Sequence, residues 1–158
     1  MNKISVVIVA ALLLATVAAA HAEMAIPWGF RAGYTGDNDF QQLFVGCHAE
    51  VAQPLGSTGL QPSLEVGFGD DIFVIALNLD LFYQFTELAQ KDWSFYAGGG
   101  VAINHFNPDG RSSHTEFGLN IAGGVGLMVS RSNRLFSEIR IGLEDAPDFK
   151  ISLGLTFF

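Results

Sequence analysis

From Trp28 onward, apolar and polar residues alternate with a period of two, the signature of strands with one apolar and one polar face. Eight such stretches are legible. The first, Trp28 to Tyr34, sets Trp28, Phe30, Ala32 and Tyr34 on one face. The second, about 41 to 51, groups Leu43, Val45, Cys47, Ala49 and Val51 against Gln42, His48 and Glu50. The third, 60 to 68, sets Leu64, Val66 and Phe68 against Glu65 and Gly67, and the fourth runs from Phe73 to Phe85 with Asn78, Asp80 and Gln84 on its polar side. Strand five opposes Trp93, Phe95, Ala97, Val101 and Ile103 to Ser94, Tyr96, Gly98, Gly100 and Asn104. Strand six opposes Phe117, Leu119, Ile121, Val125, Leu127 and Val129 to Glu116, Gly118, Asn120, Gly124 and Gly126. Strand seven alternates Leu135, Ser137, Ile139, Ile141 and Leu143 with Glu138, Arg140 and Glu144; strand eight alternates Phe149, Ile151, Leu153, Leu155 and Phe157 with Lys150, Ser152, Gly154 and Thr156. Clusters of Gly, Pro, Asp, Asn and Ser separate most of the strands. The connection from Thr86 to Asp92 has neither Gly nor Pro, and a helical turn is expected there. Strands in hairpin order with no helix to cover a face predict an all-β, eight-stranded antiparallel up-and-down meander, closed into a barrel so that no edge is left unpaired.

The first 22 residues read differently. Lys3 precedes an apolar run from Ile4 to Val17, and Ala20-His21-Ala22 supplies a small-x-small cleavage pattern, so residues 1–22 are expected to be a cleaved signal peptide and 23–158 the barrel domain. The apolar run is too short to span a membrane comfortably as a helix. Without it, seven basic residues face sixteen acidic ones, a formal charge near −9. No basic stripe exists for nucleic acid. Cys47 is alone, which excludes an internal disulfide framework.

Alternation does not say which face is inside, but glycine does. Twelve of the 18 glycines (29, 33, 46, 67, 69, 98, 100, 118, 124, 126, 142 and 154) fall on the polar face, only Gly99 and Gly123 on the apolar one, and Gly36, Gly56, Gly59 and Gly110 in loops. The interior of an eight-stranded barrel is just wide enough for side chains to fill. Bulky apolar residues from all eight strands would overfill it, whereas glycines, short polar residues and a few long charged ones fit. The apolar face therefore meets lipid, and the barrel is transmembrane. With the amino end periplasmic, Trp28, Tyr83, Phe85, Trp93, Phe95 and Phe157 lie at one rim and Tyr34, Phe68, Phe73 and Phe149 at the other, as two interfacial aromatic girdles require.

In this pattern, and in a last strand of alternating apolar residues ending Leu155-Thr-Phe-Phe158, the chain resembles the small outer-membrane β-barrel proteins of Gram-negative bacteria, of the OmpA-transmembrane-domain and OmpX type, often labelled porin-like. The resemblance covers residues 23 to 158. It implies an integral outer-membrane location among outer-membrane lipid and lipopolysaccharide. It also implies that Phe157 or Phe158 is the terminal aromatic read by the barrel-assembly machinery, with the register open by one. The connections at 35–39 and 69–71 are short for extracellular loops, which argues against an adhesin or invasin role.

The chemistry expected of the interior is electrostatic. Arg31, Arg140 and Lys150 face Glu50, Glu65, Asp80, Glu116, Glu138 and Glu144. A last hairpin centred near Pro147 would place Glu144 opposite Lys150 and Arg140 opposite Gly154. Buried charges persist only when paired, so an ion-pair plug is expected, with a narrow ion or proton path as the alternative that the acidic excess suggests. Ser112-Ser-His-Thr-Glu116 holds the residue types of a nucleophile, a base and an orienting acid. Lipid A deacylases carry such a set on an eight-stranded barrel, but His105-Phe-Asn107 lacks the Ser of their signature, and Ser113 and Glu116 fall on opposite faces of a strand. A solvated polar loop is the reading adopted, with a lipid A-modifying enzyme as the lesser alternative. His48 reads as an interior hydrogen-bonding filler and Cys47 as a lipid-facing hydrophobe. Gly98-Gly-Gly100 and Gly123-Gly-Val-Gly126 lie inside strands with no helix to follow, unlike nucleotide-binding loops. The sequence thus predicts a structural or interaction role in the cell envelope, with no catalytic residues, no metal and no cofactor.

Overall fold

The computed structural model describes residues 26–36, 41–51, 57–69, 72–108, 110, 112–144 and 146–158. The expected signal peptide and parts of five connections (37–40, 52–56, 70–71, Asp109 with Arg111, and Asp145) lie outside the described residues. The strands are β1 (Trp28–Gly36), β2 (Gln41–Ala49), β3 (Thr58–Gly69), β4 (Ile72–Gln84), β5 (Trp93–Pro108), β6 (His114–Ser130), β7 (Asn133–Glu144) and β8 (Phe149–Phe157). Each pairs antiparallel with the next, and β8 returns to β1, so the eight form a closed meander barrel. Directly opposed residues traced from Thr35 through β2, β3 and β4 lead to Pro108; traced the other way, through β8, β7 and β6, they lead to Gly98. The ten-residue gap along β5 between Gly98 and Pro108 is the stagger that tilts the strands.

The faces are disposed as the glycines foretold. Phe117, Leu153 and Ile121 are 71%, 62% and 47% exposed on the outside, while Glu138 and Arg140 are buried in the lumen. This inside-out distribution is that of a transmembrane β-barrel. Two aromatic groups stand on its outer wall. Trp28, Phe30 and Phe157 cluster across the β1–β8 seam with ring centroids 5.1 to 6.4 Å apart. Toward the other end, Phe68 and Phe73 meet edge to face at 5.4 Å.

The structure corrects several expectations. Gly36 and Gly59 belong to β1 and β3, not to loops. The lumen is not filled only by small and polar groups: Phe44, Phe82, Phe106 and Phe136 are buried in it. Phe44, Phe82 and Phe136 fit because glycine stands opposite each, at Gly33, Gly98 and Gly154; Phe106 lies between Val74 and His114. Phe136 lies directly opposite Gly154, where any Cβ would run into its ring. The register of the last hairpin puts Arg140 opposite Lys150 and not opposite Gly154, whose arginine neighbour is instead Arg31, across the β1–β8 seam. Glu144 points outward. A bulge in the β6–β7 ladder leaves Leu119 opposite Glu144 but Asn120 opposite Gly142, so the alternation flips and Glu144 joins the outer face of Leu119.

The connections are compact. Leu88 N–H donates to Phe85 O at 3.2 Å and Ala89 N–H to Thr86 O at 3.3 Å, the single turn expected after β4. β6 begins at His114, inside the segment read as a loop. Between β7 and β8, the chain folds in over the barrel end. Ala146 Cβ lies 2.5 Å from where a Cβ on Gly118 would be, and Pro147 O is equally close to that position on Gly142. Only glycine leaves room for this cover.

Candidate functional site

Six of the nine charged residues expected inside converge in the lumen. Arg140 grips Asp80 with two donors, Nη1 to Oδ1 at 3.2 Å and Nη2 to Oδ2 at 2.8 Å, the fork geometry of a strong guanidinium–carboxylate pair. The same Nη2 reaches Glu138 Oε1 at 3.1 Å. Arg31 Nη1 meets Glu138 Oε1 at 3.2 Å and Glu65 Oε1 at 3.5 Å, and its Nη2 donates to Gln61 Oε1 at 3.2 Å. Lys150 Nζ closes the lattice on Glu65 Oε2 at 2.8 Å. Three cations thus match three carboxylates, all six almost inaccessible to solvent.

β-strand alternation brings these side chains together from five strands. Arg31, Glu65, Asp80, Glu138, Arg140 and Lys150 all occupy inward positions of β1, β3, β4, β7 and β8, and Tyr96 adds β5 by donating its hydroxyl to Glu138 Oε2 at 3.1 Å. Aromatic faces complete the shell: the Arg31 guanidinium lies 5.4 Å from the Phe136 ring centre and Lys150 Nζ 5.5 Å from that of Phe44.

The other three expected members sit elsewhere. Glu144 is exposed, for the bulge reason given above. Glu116 keeps its inward position but lies beyond the end of β7, where it pairs with His114 at 3.3 Å, both well exposed. Glu50 is at the opposite mouth, just past β2, ion-paired with Arg134. Burial pushes the Glu50 carboxyl above the usual carboxylate range, against the pull of Arg134. Arg134 was missed by the sequence reading although it shares the parity of Phe136, Glu138 and Arg140; extending β7 one step toward its turn would have found it. Glu50 and Arg134 line a cleft at this mouth with Gln61, Gln84, Ser94 and Tyr96.

Phe157 and Phe158 take different roles. Phe157 faces outward in the Trp28–Phe30 cluster, whereas Phe158 lies under the mouth, its ring centre 5.2 Å from the Arg134 guanidinium carbon and its N–H donating to Ser132 O at 2.9 Å. The outward aromatic at the end of the last strand is therefore Phe157.

The remaining candidates assemble no reaction centre among the described residues. The His114 ring stacks on Phe106 at 5.0 Å with a 16° interplanar angle. The imidazole that meets a hydroxyl is His105, whose Nδ1 lies 2.9 Å from Thr115 Oγ1, on the face opposite to Glu116. His48 is a buried filler, with Nε2 3.1 Å from Thr156 Oγ1. Among the described residues, no three His, Cys, Asp or Glu side chains are grouped to hold a metal.

A polar lumen, an apolar belt and eight meandering strands define the small outer-membrane type of β-barrel. No family model and no curated sequence matches the chain. Solved structures do. Neisserial surface protein A superimposes with a TM-score of 0.67 at 14% identity, over 84% of this chain and 94% of that one. The N-terminal β-barrel domain of Pseudomonas aeruginosa OprF gives 0.63 at 16% identity, over 83% and 96%. The outer membrane enzyme PagL gives 0.51 at 11% identity, over 82% and 97%. The fold of this chain is that of the small outer-membrane barrels.

Proposed function

We propose that the protein is an integral barrel of the outer membrane of a Gram-negative cell, with a structural or interaction role and no catalysis. Export through a cleaved signal peptide and insertion by the barrel-assembly machinery belong to this reading. Its outer belt would contact outer-membrane lipid, lipopolysaccharide included. The observation that carries the role is the balanced ionic lattice of the lumen. An open pore keeps charged side chains in water; here six are withdrawn from it and paired. The acidic excess that motivated a narrow porin-like channel falls away, because Glu50, Glu116 and Glu144 lie outside the lattice.

Two measurements test the reading. Membrane fractions run with and without boiling should show the protein in the outer-membrane fraction, with the mobility shift of a folded barrel; a purely soluble protein would end it. In planar bilayers the purified protein should give no regular conductance steps. Reproducible steps that disappear in Arg140→Ala would establish the channel instead.

A further inference from the structure

The cleft that holds Glu50 and Arg134 stands outside the ionic lattice. It lies at the mouth ringed by the β2–β3, β4–β5 and β6–β7 connections, and measures about 400 Å³, part of it beyond the rim. Small-molecule sites span about 300–1,000 Å³. The cleft is blind. Gln61 accepts from Arg31 Nη2 at 3.2 Å and Tyr96 donates to Glu138 at 3.1 Å, and these two bonds close its floor. The Phe82 and Tyr96 rings meet edge to face at 5.0 Å along one wall.

Glycine marks this cleft as space that the described chain does not itself use. At twelve inward-pointing glycines, an added Cβ would come within 3 Å of another atom, so their missing side chains make room for neighbours. Gly59 shares the inward parity of Gln61, yet a Cβ there would meet no described atom within 4 Å. Its backbone does not demand glycine either, since the positive φ among the described glycines belongs to Gly110.

The groups facing the cleft select its ligand. Glu50 and Arg134 form the most accessible ion pair of the lumen, with side chains 21% and 12% exposed, where no member of the lattice exceeds 8%. Arg134 gives Nη2 to Glu50. A guanidinium carries five N–H donors in a fixed fork, so Arg134 can take a second carboxylate without releasing the first. Ser94 stands beside it: a Cβ on Gly126 would lie 2.6 Å from Ser94 Oγ and 2.8 Å from Arg134 Cδ. Gln61, its oxygen taken by Arg31, has its NH₂ group to offer. Donors therefore prevail around the cleft, and one of them is cationic. An acceptor-rich anion fits. A cation would be repelled by Arg134, and the Glu50 carboxylate is already held.

We propose that this cleft binds a small carboxylate, its oxygens on Arg134, Ser94 and Gln61 and its apolar remainder over Gly59, beside Phe82. Hydrogen bonds between a guanidinium and a carboxylate are strong and directional. The class covers both a free organic acid and the carboxyl end of a peptide. The site goes beyond the role proposed above, in which this mouth opens to the periplasm, and does not depend on it.

The test is titration of the ¹⁵N-labelled barrel in lipid nanodiscs with N-acetyl-leucine, with its uncharged amide, and with acetyl-Ala-Ala-Leu. N-acetyl-leucine should shift the side-chain signals of Gln61, Gln84 and Arg134 saturably, with a Kd on the order of millimolar, as a ligand of about a dozen heavy atoms allows. The amide should bind at least about ten-fold more weakly. Saturable shifts with the tripeptide assign the site to peptide ends; binding of the free acid alone assigns it to small acids, and the carboxylate site stands in both cases. No saturable shift with either acid, or equal binding of acid and amide, overturns the proposal. Gly59→Leu fills the cleft from a position whose Cβ touches no described atom. Its urea midpoint should match the parent's, while N-acetyl-leucine binding falls about ten-fold or more through the clash. Undiminished binding in a folded Gly59→Leu barrel rejects the cleft. If that variant does not fold, Arg134→Lys replaces it, keeping the charge but not the fork: binding should again fall, and unchanged binding rejects the site.

Discussion

Replacing Arg140 by Met should be among the most damaging substitutions the barrel can suffer, and the damage should vanish when Asp80 is removed with it. Asp80 is wholly inaccessible, and both of its carboxylate oxygens are held by Arg140. Arg140→Met leaves that carboxylate without its counter-ion, and withdraws one of two cations from Glu138. Breaking a buried pair on one side costs about 3–5 kcal/mol, whereas replacing both partners by apolar groups of similar size is often neutral or better. Glu138 keeps Arg31 and Tyr96 after the change, so the penalty arises mainly at Asp80. Asp80→Leu should cost less than Arg140→Met, because Arg140 retains Glu138 at 3.1 Å. The double variant Asp80→Leu/Arg140→Met should lie within about 1 kcal/mol of the parent. Urea unfolding from lipid vesicles, followed through Trp28 and Trp93 on the outer wall, gives the three free energies. Additive single effects, with no recovery in the double variant, would refute the paired lattice.

Further outcomes follow from where each side chain stands. Glu116→Gln and Glu144→Gln should each leave stability within about 0.5 kcal/mol of the parent, as exposed sites do, while Glu138→Gln should cost several times more in the same urea titration. Leu153→Arg on the lipid-facing wall should destabilise by about 2–4 kcal/mol, as a cation near the bilayer midplane does; Leu88→Arg, in the turn after β4, should be nearly silent. Gly118→Val should cost about 1–3 kcal/mol by overpacking against Ala146, and Ala146→Gly in that background should recover part of the lost urea midpoint.

The sequence carried the architecture because two constraints of period two acted on every strand at once. A lipid-facing position must be apolar and its neighbour must fit a narrow lumen, so parity alone separated Leu153 from Ser152 and Ile139 from Arg140. Glycine then fixed the sign of the barrel, since a narrow lumen has no room for bulky residues from all eight strands. What parity could not give is height. Glu116 has the right face but lies above the end of β7, and only the lengths of paired strands reveal that. Nor could it give register across a wide connection: the last hairpin closes with Arg140 opposite Lys150 because the β7–β8 segment folds inward over Gly118 and Gly142 instead of turning tightly. The bulge that turns Glu144 outward has no mark in local composition. Phe44 and Phe136 were left aside for a related reason. Their type says lipid and their parity says lumen, and the deciding partners, Gly33 and Gly154, come from neighbouring strands.

The same energetics bear on whether this lumen could ever conduct. Opening a path past Arg140 and Asp80 requires separating them while both remain withdrawn from bulk water. If that separation costs what a one-sided deletion costs, about 3–5 kcal/mol, and each 1.4 kcal/mol is a factor of ten, the closed arrangement is favoured by between about 10² and 10⁴. Conductance would then come as rare, brief events and not as a resting pore. The Asp80→Leu/Arg140→Met barrel separates two explanations for such events. A lumen held shut by ion pairing would conduct more often once the pair is gone. A lumen shut by packing, with Phe44 and Phe136 against their glycines and Ala146 over Gly118, would stay as silent as the parent while keeping its stability. The close fit at those glycines favours the second outcome, in which the charges sit in a space that the aromatic rings and the inward-folded connection have already closed.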